Sequence, residues 1–374
     1  MALTIALLCF AAVYLLQDHI YSKYWDKNLT VDLEFQSLEC VEGDKNLLKE
    51  VITNAKHLPL PILHVKFSTS KSFIFDNEEN SAVTDYYYRN DIFSIKGQHI
   101  VTRLLTFTCS KRGCYVMKDA SLVSTNLFLN SLLYANTENN NILYVYPRKL
   151  TMSGFEIPYE AIIGQYLSKT RLLEDPFEFR GIRDYQPYDN MRSINWKSSA
   201  RNNQLLVNTY YTTTSREVKI LLNIEKHTLI TDDEIIEGSI RIANTLADRF
   251  INDHVPLSIE TNACDLFTNT RISIGAGSGS RHSTAICRNL ARIDLTKKPT
   301  DFLQLLESVF STYQGDNTYY ILISNNREQD LMGYYNQIKM RKIPSCFIIP
   351  DGKSTKHDVF IQDDIFEWEV PINE

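Results

Sequence analysis

The chain contains no Cys-x-x-Cys pair, which argues against a zinc ribbon. Its seven cysteines, Cys9, Cys40, Cys109, Cys114, Cys264, Cys287 and Cys346, are odd in number and scattered. They give no disulfide framework of the kind that staples small secreted domains. Only Cys109 and Cys114 invite pairing: they bracket Ser-Lys-Arg-Gly, which reads as a hairpin turn, and could face each other across it. Positive charge is also in short supply. Lys and Arg number 39 against 45 Asp and Glu, a net charge of −6, whereas general nucleic-acid binders are basic. The Gly-Lys-Ser/Thr of a P-loop is missing, and no internal repeat or low-complexity segment is evident.

What is present is the composition of a globular protein. The chain has 374 residues, 44% hydrophobic and 22% charged, enough for two or three domains. It begins with an uncharged apolar run, Ala2 to Leu16. The run is short for a membrane span, which needs about 20 residues, but Met1, Gln17, His19, Ile20 and Tyr21 can extend it. A cleaved signal peptide would have a basic start and a small-residue cleavage site, and neither is present. We expect a transmembrane anchor over residues 1–22. Lys23 and Lys27 follow the run, and by the positive-inside bias they place the rest of the chain in the cytoplasm.

From residue 28 to 150 short alternating runs separated by turn signals suggest a small β-sandwich. Leu63, Val65 and Phe67 alternate with Ile62, His64 and Lys66, and two further strands flank Lys111-Arg112-Gly113. The acidic stretch Phe75–Asp91 shows no such alternation and reads as a loop. His57, His64 and His99 are isolated among strands and read as surface or core residues. From 216 to 374 the pattern changes. Continuous apolar runs, Val218–Ile224 and Thr318–Ser324, are those of strands buried on both faces. Between them lie amphipathic helices, one carrying the stripe Ile236, Ile240, Ala243, Leu246, Ala247 and Phe250 behind a Thr231–Glu234 capping box. Repeated β-α units imply a mostly parallel sheet with helices on both faces.

Ligands in such sheets sit at the C-terminal ends of strands, which draws attention to Asn223, Glu225 and His227. Hard cations want several oxygen ligands, and this amide–carboxylate–imidazole edge offers too few, so no metal is expected. The glycine-rich Ile274–Ala285 leads into a helix, the geometry of an anion cradle, but reads more simply as a flexible connection. The segment Phe179–Tyr211 is the densest in chemistry. It holds Arg180, Arg183, Arg192, Lys197 and Arg201 beside Glu178, Asp184 and Asp189, with turn residues Gly181 and Pro187 and a single Trp196. No His or Cys lies within it, so no nucleophile–base pair can be drawn. One Trp among acids is a weak nucleic-acid surface. The balanced charges suggest a polar network of Arg183, Asp184, Asp189, Arg192, Lys197 and Arg201 around a buried Trp196, at a joint spanning 151–215.

That segment resembles the signature of the domain of unknown function 58 family. The family pattern is Gly-x-Arg-Glu/Asp-Tyr-x-Pro-Gly-Asp-x-x-Arg-x-Ile-Asp/Asn-Trp-Lys-x-Ser-Ala-Arg, followed by Leu-Leu-Val. It is met at Gly181, Arg183, Asp184, Tyr185, Pro187, Asp189, Arg192, Ile194, Asn195, Trp196, Lys197, Ser199, Ala200, Arg201 and Leu205–Val207; Tyr188 stands where Gly is usual. The resemblance implies a bacterial membrane protein with an immunoglobulin-like β-sandwich and a von Willebrand factor A-like, Rossmann-type α/β domain. It implies an adaptor or assembly factor without enzymatic activity or cofactor, working beside a MoxR-type AAA+ ATPase and other membrane proteins. The signature then serves structure or partner docking. Many members carry two N-terminal spans, whereas this chain shows one. The alternatives are a metal-dependent adhesion-type module and an enzyme on phosphorylated or envelope substrates.

Overall fold

The computed structural model describes residues 2–117, 119–150, 159–160, 162–164, 166, 174–187, 189–212, 217–226, 233–313, 318–351 and 364–369. It divides into two compact units, Met1–Arg148 with Cys287–Asp294, and Lys149–Ile286 with Leu295–Glu374.

The first unit opens with α1 (Ala2–Tyr24). The helix runs eight residues beyond the apolar run, and Leu3–Tyr24 is long and apolar enough to cross a membrane. Its last turns leave the apolar regime: Gln17 and Tyr21 are buried, and the Tyr21 hydroxyl donates to the Pro59 carbonyl at 3.0 Å. The strands that follow are β1 (Leu29–Phe35), β2 (Glu39–Val41), β3 (Lys45–Asn54), β4 (Leu60–Thr69), β5 (Phe73–Phe75), β6 (Ser81–Val83), β7 (Tyr87–Ile95), β8 (His99–Cys109), β9 (Gly113–Val116), β10 (Ala120–Thr125), β11 (Leu132–Thr137) and β12 (Ile142–Tyr146). They form sheets ordered β1-β3-β8-β5, β11-β10-β4-β7-β6 and β2-β12-β9. The pairings are antiparallel except β2 with β12. Alternation decides which side chains enter the shared core, which holds Leu33, Leu48, Ile52, Val65, Phe67, Phe73, Phe107 and Leu122. No disulfide joins Cys109 to Cys114. The Cys109 Sγ lies 3.3 Å from that of Cys40.

The acidic stretch expected as a loop contains a strand. In β7 the residues alternate between core and surface, with Tyr87, Arg89, Asp91, Phe93 and Ile95 inward. The inward charges hid the pattern. They are tolerated because Arg89 Nε meets Asp91 Oδ2 at 2.6 Å and Arg103 Nη1 meets Asp91 Oδ1 at 2.6 Å; buried charges persist only when paired. Glu50, fully buried beside this group, is the costly member. Burial first, and then the Asp91 carboxylate, push it up to about 8, against the pull of Arg103 and Arg89.

The second unit begins its described strands with the hairpin β13 (Glu174–Asp184) and β14 (Leu206–Thr212). Between these strands lies a short helix α2 (Trp196–Asn202). The main sheet is β17-β16-β15-β18-β19-β20, with β15 (Glu217–Leu222), β16 (Leu257–Cys264), β17 (Arg271–Gly277), β18 (Thr318–Ile323), β19 (Ser345–Asp351) and β20 (Ile365–Glu369). Only β17, at one edge, is antiparallel. The helices are α3 (Asp233–Asn252), α4 (Ser280–Ala291), α5 (Phe302–Ser311) and α6 (Gln329–Met340). Adjacent residues of β18 face opposite layers: Tyr320 packs against Phe310 of α5 with the rings tilted, while Tyr319 meets Tyr166, which also touches Phe250 of α3. The expected α3 stripe is buried throughout; Thr231 of the capping box lies outside the described residues. The stretch expected as a flexible glycine-rich connection starts as β17. A Cβ on Gly277 would stand 2.6 Å from the His282 ring, whose Nε2 is 2.7 Å from the Leu257 carbonyl, so glycine there permits a close strand-to-helix closure.

Glu50 makes stability fall as pH rises. Its folded value lies above the ordinary 4.5, so the folded chain holds the proton longer. The stabilisation is full below the ordinary value and is lost as pH climbs through about 8. Glu50→Gln is expected to raise the melting temperature of the detergent-solubilised chain at alkaline pH by on the order of 5 °C, with the gain vanishing in mildly acidic buffer. Parallel melts across that range check it, and a gain independent of pH would refute the assignment.

Candidate functional site

The signature segment is built as a braced hairpin. β13 and β14 pair in register from Gly181↔Thr209 to Asp184↔Leu206. The intervening turn is closed by Asp189. Its carboxylate receives both ends of the Arg183 guanidinium at 2.6 Å and the Gln186 N–H at 2.8 Å. The forked Arg–carboxylate geometry is the strong form of this contact, and the Arg183 bond, then the Gln186 N–H, hold the Asp189 carboxyl below the usual range. Asp184 Oδ1 accepts from Gln204 Nε2 at 3.2 Å, and the Tyr185 N–H meets the Leu205 carbonyl at 2.9 Å.

Asn195 then starts α2. Its side-chain oxygen accepts from the Ser198 N–H at 2.9 Å as an N-cap, its amide donates to Asn208 Oδ1 at 2.8 Å, and its N–H bonds the Leu206 carbonyl at 2.8 Å. The buried Ser199 hydroxyl donates to the Asn195 carbonyl at 2.8 Å and accepts from the Leu206 N–H at 2.9 Å, tying α2 to β14. Asn203, with φ 57°, ends the helix in the left-handed region that Asn tolerates.

These bonds divide the signature residues into two groups. Arg183, Asp184, Asp189, Asn195 and Ser199 brace the hairpin. Arg192, Trp196, Lys197 and Arg201 do not join that network; their side chains are exposed. The expectation of a buried Trp196 is therefore corrected: 63% of its surface is open. The cause is α2 itself, which is one short helix held through Ser199 and leaves Trp196 on its free side. Ile182, Met191 and Leu205 are also exposed. Gly181 is half-buried, and its carbonyl accepts from Thr209 Oγ1 at 2.9 Å. Pro187 is exposed, and Tyr188 lies outside the described residues.

A second feature lies at the C-terminal ends of β15 and β18, a cleft of about 630 Å³ lined by Glu225, Lys226, Lys297, Asp301, Asn326 and Glu328 among others. An amide–hydroxyl network is buried at the same strand ends, next in sequence to the lining residue Ile224. Asn223 Nδ2 donates to Ser324 Oγ at 2.9 Å, and Asn223 Oδ1 accepts from Asn262 Nδ2 at 2.7 Å. Glu225 Oε1 receives the first N–H of α5, from Phe302, at 3.1 Å. Burial raises the Glu225 carboxyl above its ordinary value, while the Phe302 N–H opposes that and Asp301 adds to it. Glu225 is thus engaged as a helix-end acceptor. His227 lies outside the described residues, and among the described residues no three His, Cys, Asp or Glu side chains converge to hold an ion. Reading the sequence missed Asn262, Ser324 and Asn326 here. A signal existed, because each lies at or just after the end of an apolar strand run.

A membrane-type helix, a β-sheet unit and a three-layer α/β unit carrying a braced, exposed hairpin define the class. Residues 181–341 match the family described as Protein of unknown function DUF58. No curated protein matches the chain. Among solved structures, a non-cellulosomal cohesin from Archaeoglobus fulgidus is 12% identical, with 29% of this chain and 91% of that one covered and a TM-score of 0.21. The CARDB domain of a Pyrococcus furiosus protein is 10% identical over 30% and 94%, with a TM-score of 0.18. The sporulation control protein Spo0M of Bacillus subtilis is 11% identical over 39% and 58%, with a TM-score of 0.20. Likenesses this low carry no argument about the present chain.

The division of the signature predicts a division of phenotypes. Ser199→Ala removes a buried hydroxyl worth about 1 kcal/mol and should lower the melting temperature by a few degrees. Trp196→Ala and Arg192→Ala should move it by about 1 °C or less, as surface changes do. Equal losses from all three would restore the buried network. For the cleft, calorimetry with millimolar Mg²⁺ should show no heat above dilution; stoichiometric binding lost in Glu225→Ala would reinstate a cation site.

Proposed function

We propose that the chain is a membrane-anchored adaptor or assembly factor without enzymatic activity, and that it docks its partner through the outward face of the signature hairpin. The observation that carries this is the exposure of Trp196, Arg192, Lys197 and Met191 on a hairpin braced by the Arg183–Asp189 pair and the Ser199 hydroxyl. Interaction hot spots favour Trp and Arg on surfaces that need no reorganisation. The segment has no nucleophile with a base beside it, so its chemistry suits recognition. The family match supports a MoxR-type AAA+ ATPase as the partner, and the cationic rim calls for an acidic complement on it.

In this reading the β unit is immunoglobulin-like and the α/β unit is von Willebrand factor A-like, with its strand-end cleft too poor in carboxylates for cation-mediated adhesion. Helix α1 is a single-pass anchor, and Tyr24 onward lies in the cytoplasm. Binding of the purified ATPase to the detergent-solubilised chain should weaken at least tenfold in Trp196→Ala, with the melting temperature kept. Unchanged affinity would remove the docking face from the proposal. Protease added to intact cells should spare the region after α1; digestion from outside would reverse the topology.

A further inference from the structure

The turn between β10 and β11 projects three consecutive apolar side chains, Leu127, Phe128 and Leu129, with 53%, 41% and 56% of their surfaces open. Such a run at a hairpin tip is normally avoided in a water-facing protein. Its position explains it. The Phe128 ring lies 6.0 Å from that of Phe10 and 5.7 Å from that of Tyr14, both on α1. The tip therefore stands level with the apolar part of the helix. About one turn further along α1 the chemistry becomes polar. Asp18 Oδ1 accepts from Asn126 Nδ2 and from Ser131 Oγ, each at 2.9 Å, so the base of the turn is pinned at the polar end of the apolar run. With Tyr21 bonded to Pro59 as well, the depth of α1 fixes the depth of the tip.

Three N–H groups of the turn are met from within the protein. The Leu127 N–H donates to Gln17 Oε1 at 3.3 Å, the Leu129 N–H to the Asn126 carbonyl at 3.1 Å, and the Asn130 N–H to Asn126 Oδ1 at 3.1 Å. Non-helical backbone can enter lipid only when its polar groups are met from within the protein. The segment from Asn126 to Leu132 carries no charge.

We propose that the Leu127-Phe128-Leu129 turn inserts into the lipid bilayer beside α1, as a second membrane contact that holds the β unit against the bilayer surface. This rests on the reading of α1 as a membrane anchor. The bilayer is the occupant because the turn is continuous with the helix that would already lie in it. Two contacts remove the freedom to pivot that a lone helix would leave.

The test uses the full chain reconstituted into phosphatidylcholine–phosphatidylglycerol vesicles. Leu127→Trp is compared with the parent, so that emission from Trp25, Trp196 and Trp368 is subtracted, in ordinary lipid and in lipid brominated along the acyl chains. The added emission should fall at least twofold in brominated lipid. Val83→Trp, exposed on β6 at the opposite edge of the same sheet, should show no such loss; Leu129→Trp serves if the first variant fails to reconstitute. Flotation of the parent after an alkaline wash reports the anchor separately. A floating parent with unquenched tip tryptophans overturns the insertion and leaves the anchor standing. A parent that does not float overturns both. Quenching at Val83→Trp equal to that at the tip also overturns the assignment, because the contact would not be local.

Discussion

A polar group withdrawn from water has to find a partner inside the protein, and much of this molecule is arranged around that demand. Arg89 and Arg103 enter the β unit because Asp91 receives both. At the strand ends of the α/β unit runs a buried chain of amides and a hydroxyl, Asn262 to Asn223 to Ser324, with each link made. The signature hairpin holds its shape because Asp189 satisfies Arg183 and the Gln186 N–H together, and because one Ser199 hydroxyl serves α2 and β14 at once. Glu50 is where the demand is met least well, and its raised carboxyl is the sign of it.

The same demand marks where the sequence could be read. Strands of the second unit with continuous apolar runs, and helices with a full stripe such as α3, were legible because burial alone chose their residues. β7 was not, because its inward positions carry Arg89 and Asp91, and charge at a core position breaks the alternation a reader looks for. β17 was obscured by Gly275 and Gly277, which belong to an edge strand closing against His282. At the signature, the residue types were legible but their assignment was not. A Trp among Arg and Asp looks like the centre of a network, and only the placement of α2 shows that Ser199 faces inward while Trp196 faces out. Propensity fixes neither, since the rotation of a seven-residue helix about its axis is decided by its tertiary bonds.

Separating the bracing residues from the displayed ones has a functional meaning. A surface whose backbone is already fixed loses little conformational freedom on docking, so its affinity is set by what it displays. Changes at Arg192, Trp196, Lys197 or Arg201 can then alter partner choice with little effect on folding, whereas changes at Arg183, Asp189, Asn195 or Ser199 disturb the platform first.

The strand order of the main sheet also bears on how the chain is made. β15 lies at the centre and pairs on one side with β18, Val218 opposite Tyr319, about a hundred residues further along. Contacts so distant in sequence close slowly. During synthesis the anchor and the twelve strands before Arg148 have all emerged while β15 still lacks this neighbour. A ribosome moving at about 5–20 residues per second leaves that strand half-covered for several seconds. A largely apolar strand waiting that long is a natural substrate for a chaperone, so expression of the second unit should depend on one.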